Sequence, residues 1–292
     1  MRVAVTGTTG RVGAALSRHL AARHEIIPLP RGVCDLADTD SLNAALEKLD
    51  CDVFLNPAGL TSLEACEDDP RLAMRINSAA PGKIALWAAN RGVRVIHFST
   101  DYVFGGENTA LLTEQAAPNP LSAYGRSKLA GEKAVLAHSG NLVVRVSWVF
   151  GPEKPSFIDQ IFDNALAGKP LAAIADKYSL PVFTTDLAGW VERLLECEAN
   201  GIVHACNPGD PVSWHGMAEV VVEEMNACGI LADCPVIAAQ KLDEMAAFRA
   251  VRPRFTAMCT GRLAELLGSP LRPWPEAVKH YVRSRCAELR KN

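Results

Sequence analysis

RVAVTGTTGRVGAAL, residues 2–16, passes from a β-rich run to a glycine turn and then to apolar residues at helical spacing. Gly7, Gly10 and Gly13 fall between strand and helix. Missing side chains there permit a tight turn and a close approach of backbone to a diphosphate, which a helix N-terminus attracts. The spacing is GxxGxxG and not GxGxxG, and a glycine-rich connection without a ligand is the competing reading. The position, after a strand and before a helix at the start of an alternating chain, favours a dinucleotide.

Outward from that turn, strand and helix signals alternate. EIIPL (25–29) reads as a strand and SLNAALEKL (41–49) as a helix, with Asp40 or Ser41 as N-cap. DVFLN (52–56) is a strand, and residues 70–92 form one long helical pattern stopped by Gly92. RVIHFS (94–99), SAYGRSKLAGEKAVLAH (122–138) and NLVVRVS (141–147) continue the order as strand, helix and strand. Near-continuous apolar strands in this order predict an α/β protein with a doubly wound, Rossmann-type parallel sheet. After Gly151 the regularity loosens. A helix capped by Thr185 or Asp186 and another capped by Ser213 are expected there. The predicted division is a dinucleotide-binding domain over 1–150, to which 184–210 return. A smaller mixed α/β substrate-binding lobe takes 151–183 and 211–292.

The bulk numbers narrow the function. The 292 residues carry a net charge of −3, with 49% hydrophobic and 22% charged residues. That balance provides no basic field for nucleic acid or an anionic membrane. No apolar run is long enough to span a bilayer, and the N-terminus lacks the pattern of a signal peptide, so a cytoplasmic protein is expected. Nine cysteines without a CxxC and seven histidines without a cluster predict no metal site. A requirement for Mg²⁺ does not follow from the sequence, although Glu64 and Glu67 are available after the third strand. A homodimer is left open.

The chemistry lies in two fragments, STDYVFGG (99–106) and YGRSK (124–128). Tyr124 and Lys128 are four residues apart and share a helix face. A phenol with a pKa near 10 moves protons poorly at neutral pH, and a nearby ammonium lowers it. Bringing it to about 7 takes roughly 4 kcal/mol of differential stabilisation, which the lysine and a cationic nicotinamide could supply together. A hydroxyl from Ser99 or Thr100 could bind the same substrate oxygen. Arg31, after the second strand, could pair with a 2′-phosphate or be a solvated surface residue. Asp35 could meet the adenine edge or serve as a local cap.

Taken together these features resemble the extended short-chain dehydrogenase/reductase superfamily, and within it the dTDP-4-dehydrorhamnose reductase group. The resemblance runs from TGTTGRVG and CDLAD to RLAELLG, with STDYVFGG, YGRSKLAGE, VRVSWVFG, TTDLA, VSWHGMAE and RPRFTAM as its markers. It implies Thr100, Tyr124 and Lys128 as the catalytic set. It implies a cofactor path along Gly7, Thr9, Gly10, Arg11, Val12, Gly13, Arg31, Asp35, Leu36, Ala58, Gly59, Ser99, Tyr124 and Lys128. Thr100, Asp101, Tyr102, Phe104, Trp148 and Arg252 would line a nucleotide-sugar site. Trp148 could offer a ring to a pyrimidine base or be a core residue, and Arg252 could hold the diphosphate or form a surface ion pair.

The implied reaction is reduction by NADPH or NADH of the 4-keto group of a nucleotide-linked 6-deoxy sugar, most simply dTDP-4-dehydrorhamnose. A nucleotide-sugar epimerase and a non-catalytic, NADP-binding regulatory subunit, similar to the β subunit of methionine adenosyltransferase, are the alternatives. The chain departs from the group at KYSLPV, making Lys177, Leu180 and Val182 unusual. It departs again at Phe255 after the Arg-Pro pair, and at Pro57 after the third strand.

Overall fold

Successive residues of the first strand, β1 (Arg2–Thr6), point to opposite sides of a sheet, and both sides are buried. Val3 and Val5 join one apolar cluster and Ala4 joins another. The computed structural model describes residues 1–107 and 109–291. Along it follow β2 (Glu25–Leu29), β3 (Val53–Asn56), β4 (Arg94–Thr100), β5 (Leu142–Val146), β6 (Val149–Phe150), β7 (Leu171–Ile174), β8 (Tyr178–Ser179), β9 (Val182–Phe183), β10 (Gly201–Ala205), β11 (Val212–Ser213) and β12 (Ile237–Gln240). Six of them form one sheet in the order β2-β1-β3-β4-β5-β10, parallel at every pairing. This is the doubly wound sheet expected from the alternating sequence.

Helices cover it from both sides. Leu16 and Leu20 of α1 (Arg11–Leu20) share a core with Val3, Val5, Ile96 and Val144. The opposite core joins Ala4, Phe54 and Val143 to α2 (Thr39–Lys48) through Leu42 and Leu46. The chain then forms α3 (Leu63–Asp68), α4 (Pro70–Met74), α5 (Ala80–Ala89) and α6 (Ala123–Leu136). The last two of these add Ile84, Trp87 and Val135 to that second core. Later come α7 (Phe157–Leu166), α8 (Thr184–Glu196), α9 (Trp214–Ala227), α10 (Gly261–Leu267) and α11 (Trp274–Leu289). Leu187, Val191 and Leu194 of α8 return to the first core.

Away from the main sheet the strands are shorter. β7 pairs with β12, β8 with β11 and β6 with β9, and each of these sheets has only two strands. Among the described residues no helix is long and apolar enough to cross a membrane.

Three local expectations are corrected. Residues 70–92 are not one helix: α4 and α5 are separated by a π-helical turn, Arg75–Ala79. Pro81 has no N–H to give to the carbonyl four residues back, which is that of Asn77, so the α-helical ladder cannot run through this point. The cap of α2 is Asp38, whose carboxylate accepts from the Asp40 N–H at 2.9 Å, because Thr39 and Asp40 are already helical. α8 begins at Thr184 without a side-chain cap, and the Thr184 hydroxyl donates to Glu153 at 2.8 Å instead. Ser213 caps α9 as expected, accepting from the Gly216 N–H at 3.1 Å.

Candidate active site

The chain runs from β1 to the edge strand β2 and then crosses to β3 on the other side of β1. A crevice above the carboxyl ends of β1 and β3 follows from that reversal, and ligands of open α/β sheets bind there. The glycine turn lies at this point. Gly7 has φ +57°, and a Cβ on it would come within 3.1 Å of Ala58. A Cβ on Gly13 would lie 2.2 Å from the Gly7 carbonyl oxygen, so helix and turn pack as closely as they do only because position 13 is glycine. Gly10 precedes α1 without a side-chain cap, which leaves the first N–H groups of that helix for a ligand.

Beneath the crevice the strand ends are tied by polar side chains. The Thr6 hydroxyl donates to Asn56 at 2.7 Å and accepts from the Ala58 N–H at 3.3 Å. The Asn56 amide reaches Nδ1 of His97 at 3.1 Å. Burial, then the nearby Lys128, hold His97 well below its ordinary pKa, so it is a neutral acceptor in the core. Of the other residues expected on the cofactor path, Thr9 is exposed at the turn, Val12 packs on the first core and Leu36 is buried in the second. Arg31 is exposed after β2. Asp35 uses one carboxylate oxygen locally, accepting from the Ala37 N–H at 2.9 Å. The Arg11 guanidinium turns away to donate to the carbonyls of Lys154 and Pro155, at 3.3 and 2.7 Å.

Thr100 ends β4, and a single 3₁₀ turn, Asp101–Val103, follows it. Tyr124 and Lys128 lie in the first two turns of α6, whose Ser122 cap accepts from the Gly125 N–H at 3.1 Å. Gly125 is required here, since a Cβ would lie 2.2 Å from the Tyr102 carbonyl oxygen. The Tyr124 ring meets Tyr102 edge-on, with centroids 5.9 Å apart. Burial raises the Tyr124 pKa, and the Thr100 hydroxyl pulls it back. Lys128 is not among the groups acting on it. Its ammonium donates to the Phe98 carbonyl at 2.6 Å and lies beside Gly59, and burial lowers its pKa to about 8. Ser99 is buried, and its hydroxyl has no partner among the described residues.

Asn77 is a residue that the sequence reading missed. It sits in the π-helical turn, where its side chain exchanges bonds with the N–H and carbonyl of Leu60 at 2.8 and 2.9 Å. It also donates to Ser127 at 3.0 Å, which in turn donates to the Tyr124 carbonyl at 2.8 Å. Asn77 thus joins the chain after β3 to the helix of Tyr124. Pro81, four residues further on, was the available signal.

On the other side of Tyr124 the walls come from distant parts of the chain. Asp101 is buried and accepts from three hydroxyls: Thr100 at 3.1 Å, Ser179 at 3.2 Å and Thr256 at 2.5 Å. Trp148 has φ +42°, a strained value for a tryptophan, and its indole N–H is buried without a partner among the described residues. Its ring meets Trp214 edge-on at 5.7 Å. Arg252 lies 3.6 Å over the Phe248 ring and pairs with Glu64 at 2.7 Å, which holds that carboxyl below its usual range. Glu64 is therefore engaged, and Glu67 accepts from the Ala123 N–H at 2.7 Å. Phe104 is not brought to this cleft. It packs in the core against Arg145 and His204, at 5.1 and 5.8 Å. There Arg145 forms a buried two-bond pair with Glu132, at 2.8 and 2.7 Å.

Comparisons of sequence and of structure both find dTDP-4-dehydrorhamnose reductases among the similar proteins. Residues 1–286 match the model of the RmlD substrate binding domain. The dTDP-4-dehydrorhamnose reductase of Burkholderia thailandensis is 31% identical over 294 residues, covering 97% of this chain and 98% of its own. The crystal structure of a dTDP-4-dehydrorhamnose reductase ortholog from Clostridium acetobutylicum superposes with a TM-score of 0.87 at 27% identity, over 97% of this chain and 99% of that one. The Bacillus anthracis reductase, solved in complex with NADP, has the same fold, with a TM-score of 0.87 at 23% identity over 97% and 99% of the two chains.

Proposed function

Because the chain belongs to the RmlD substrate binding domain family, we propose that it reduces the 4-keto group of a nucleotide-linked 6-deoxy sugar, dTDP-4-dehydrorhamnose, with NADPH or NADH. The observation that carries this reading is the buried phenol of Tyr124 under the Thr100 hydroxyl, with Lys128 one turn on, beside the glycine turn at the β1/β3 crevice. The cradle fits a dinucleotide on its own geometry: glycine at position 13 lets α1 pack directly against the Gly7 carbonyl, and α1 opens with uncapped N–H groups.

A nicotinamide dinucleotide bound there supplies the hydride. The protein's own residues do the rest. Thr100 orients the substrate carbonyl, Tyr124 gives its oxygen a proton, and Lys128 holds the cofactor ribose. Asn77, through Ser127 and Leu60, keeps the Tyr124 helix in register with the chain after β3. The Thr100 hydroxyl donates to Asp101 and turns from it to the carbonyl as the substrate enters. Tyr102, Trp148 and Arg252 receive the sugar nucleotide, with Arg252 facing its diphosphate.

In this reading residues 1–150 with 184–210 hold the cofactor, and 151–183 with 211–292 close over the substrate. The enzyme works in the cytoplasm, with a homodimer as the candidate assembly. The test is incubation of the pure chain with dTDP-4-dehydrorhamnose and NADPH, with the sugar product identified by nuclear magnetic resonance. Formation of dTDP-rhamnose at one NADPH per sugar supports the reading, and interconversion of sugars without net NADPH use overturns it.

A further inference from the structure

Lys177 takes none of the roles above, and its ammonium has unusual surroundings. The side chain is fully buried, and Nζ donates to the Pro253 carbonyl at 2.6 Å. The ring centroids of Tyr102 and Trp148 lie 4.8 and 5.9 Å from it. Among the described residues no carboxylate oxygen lies within 4.0 Å of Nζ. Asp101, the acid that acts on it, has its oxygens engaged by the hydroxyls of Thr100, Ser179 and Thr256.

A buried ammonium without a paired carboxylate costs stability, and an apolar side chain of similar volume would fill the same space more cheaply. Here the cation is kept where three separate segments meet. The turn after β4 carries Tyr102, the β5–β6 connection carries Trp148, and residues 250–256 carry Arg252 and the Pro253 carbonyl. The third segment presses on the first, since a Cβ on Gly106 would lie 2.6 Å from Pro253 Cβ. Trp148 keeps a strained backbone at this junction. Ring faces attract a cation only while they are held over it. One charge can therefore register all three segments at once.

Resting on the reading of this cleft as a sugar-nucleotide site, we propose that Lys177 is its positioning residue. The ammonium holds Tyr102, Trp148 and the 250–256 segment in one arrangement and so sets affinity for the sugar nucleotide, without entering proton or hydride transfer. The titratable and charged groups that face it are Asp101 and Tyr102 on the turn after β4 and Arg252 on the 250–256 segment. Burial brings its pKa down to about 8, with Asp101 raising it and Arg252 lowering it, so the pin is charged at neutral pH and is lost above that range.

The test is calorimetric titration of the NADP-loaded chain with thymidine diphosphate, which needs no turnover, alongside steady-state kinetics. Lys177→Met, uncharged and close in volume, is expected to weaken thymidine diphosphate about thirtyfold and to raise KM by a similar factor, the size of one desolvated cation–π interaction. Its kcat stays close to wild type and its melting temperature is no lower. Lys177→Gln, which keeps a donor for Pro253 without the charge, is expected to lose less, and carries the same comparison should the methionine variant fold poorly. Wild-type affinity should fall above pH about 8, and that limb should vanish in Lys177→Met, while the titration of Lys128 is common to both. Unchanged affinity in both variants overturns the proposal. So does a loss of affinity that only follows a loss of thermal stability. An inactive wild type overturns the reductase reading instead, and leaves the thymidine diphosphate titration to decide Lys177.

Discussion

Lys128 and Lys177 begin alike: each is a buried ammonium bonded to one backbone carbonyl at 2.6 Å, and burial pushes each down to about 8. Their neighbourhoods differ. Lys128 has Glu132 one turn further along the same helix, and that carboxylate raises its pKa. Lys177 has Asp101 in the corresponding role and, in addition, the faces of Tyr102 and Trp148. A carboxylate favours a nearby cation in many geometries, whereas a ring does so only face-on. The Lys128 side is therefore a platform built from one strand end and one helix. The Lys177 side brings together short segments from distant parts of the chain.

That contrast can be broken first at the larger end. Lys128→Met is expected to lower kcat by about 10² or more, against a mainly KM effect for Lys177→Met. Equal effects on kcat from both variants would erase the distinction.

Glu132→Gln tests the platform through stability. It leaves the guanidinium of Arg145, 2% exposed, without its charge partner, and is expected to cost about 3–5 kcal/mol in denaturant unfolding. A shift below about 1 kcal/mol would mean that the platform does not depend on this pair.

Gly13→Ala should cost about 1–3 kcal/mol through overpacking against the Gly7 carbonyl, and weaken NADPH in a fluorescence titration. Unaltered NADPH binding would remove the turn from the cofactor site.

A further test concerns pH. Folded Lys177 releases its proton near 8, while the unfolded chain keeps it to about 10.5. Between those values the unfolded state binds more protons, so wild-type stability gains with rising pH from this group. The stability advantage of Lys177→Met over wild type should be greatest below pH 8 and shrink towards pH 10.5. Unfolding midpoints of both proteins across that window test it, and a constant difference would contradict the burial of the charge.

The same contrast explains what could be read from the sequence. The glycine turn, the alternation of strand and helix, and the Tyr124–Lys128 spacing are local patterns, and each was legible within about a dozen residues. Asn77 was hidden because its role depends on a π-helical turn that breaks an otherwise uniform helical pattern, and only Pro81 marked it. Phe104 shared a motif with Tyr102, yet the turn after Thr100 sends the two rings to different places, one to Tyr124 and one to His204. Two of the three hydroxyls on Asp101 come from residues 78 and 155 positions away, and no spacing rule reaches so far. The N-cap of α2 was misplaced by two or three residues because Asp38, Asp40 and Ser41 are all competent caps, and only the extended backbone at Asp38 decides between them.

The measurement that bears most directly on the function is the rate of NADPH oxidation with dTDP-4-dehydrorhamnose by wild type and by Tyr124→Phe, with NADPH affinity measured in both. Wild type is expected to turn over, and the variant to bind NADPH as well while losing about 10²–10⁴ in kcat. A variant that keeps wild-type turnover would contradict the assignment of Tyr124 as the proton donor and, with it, the reading of the cleft.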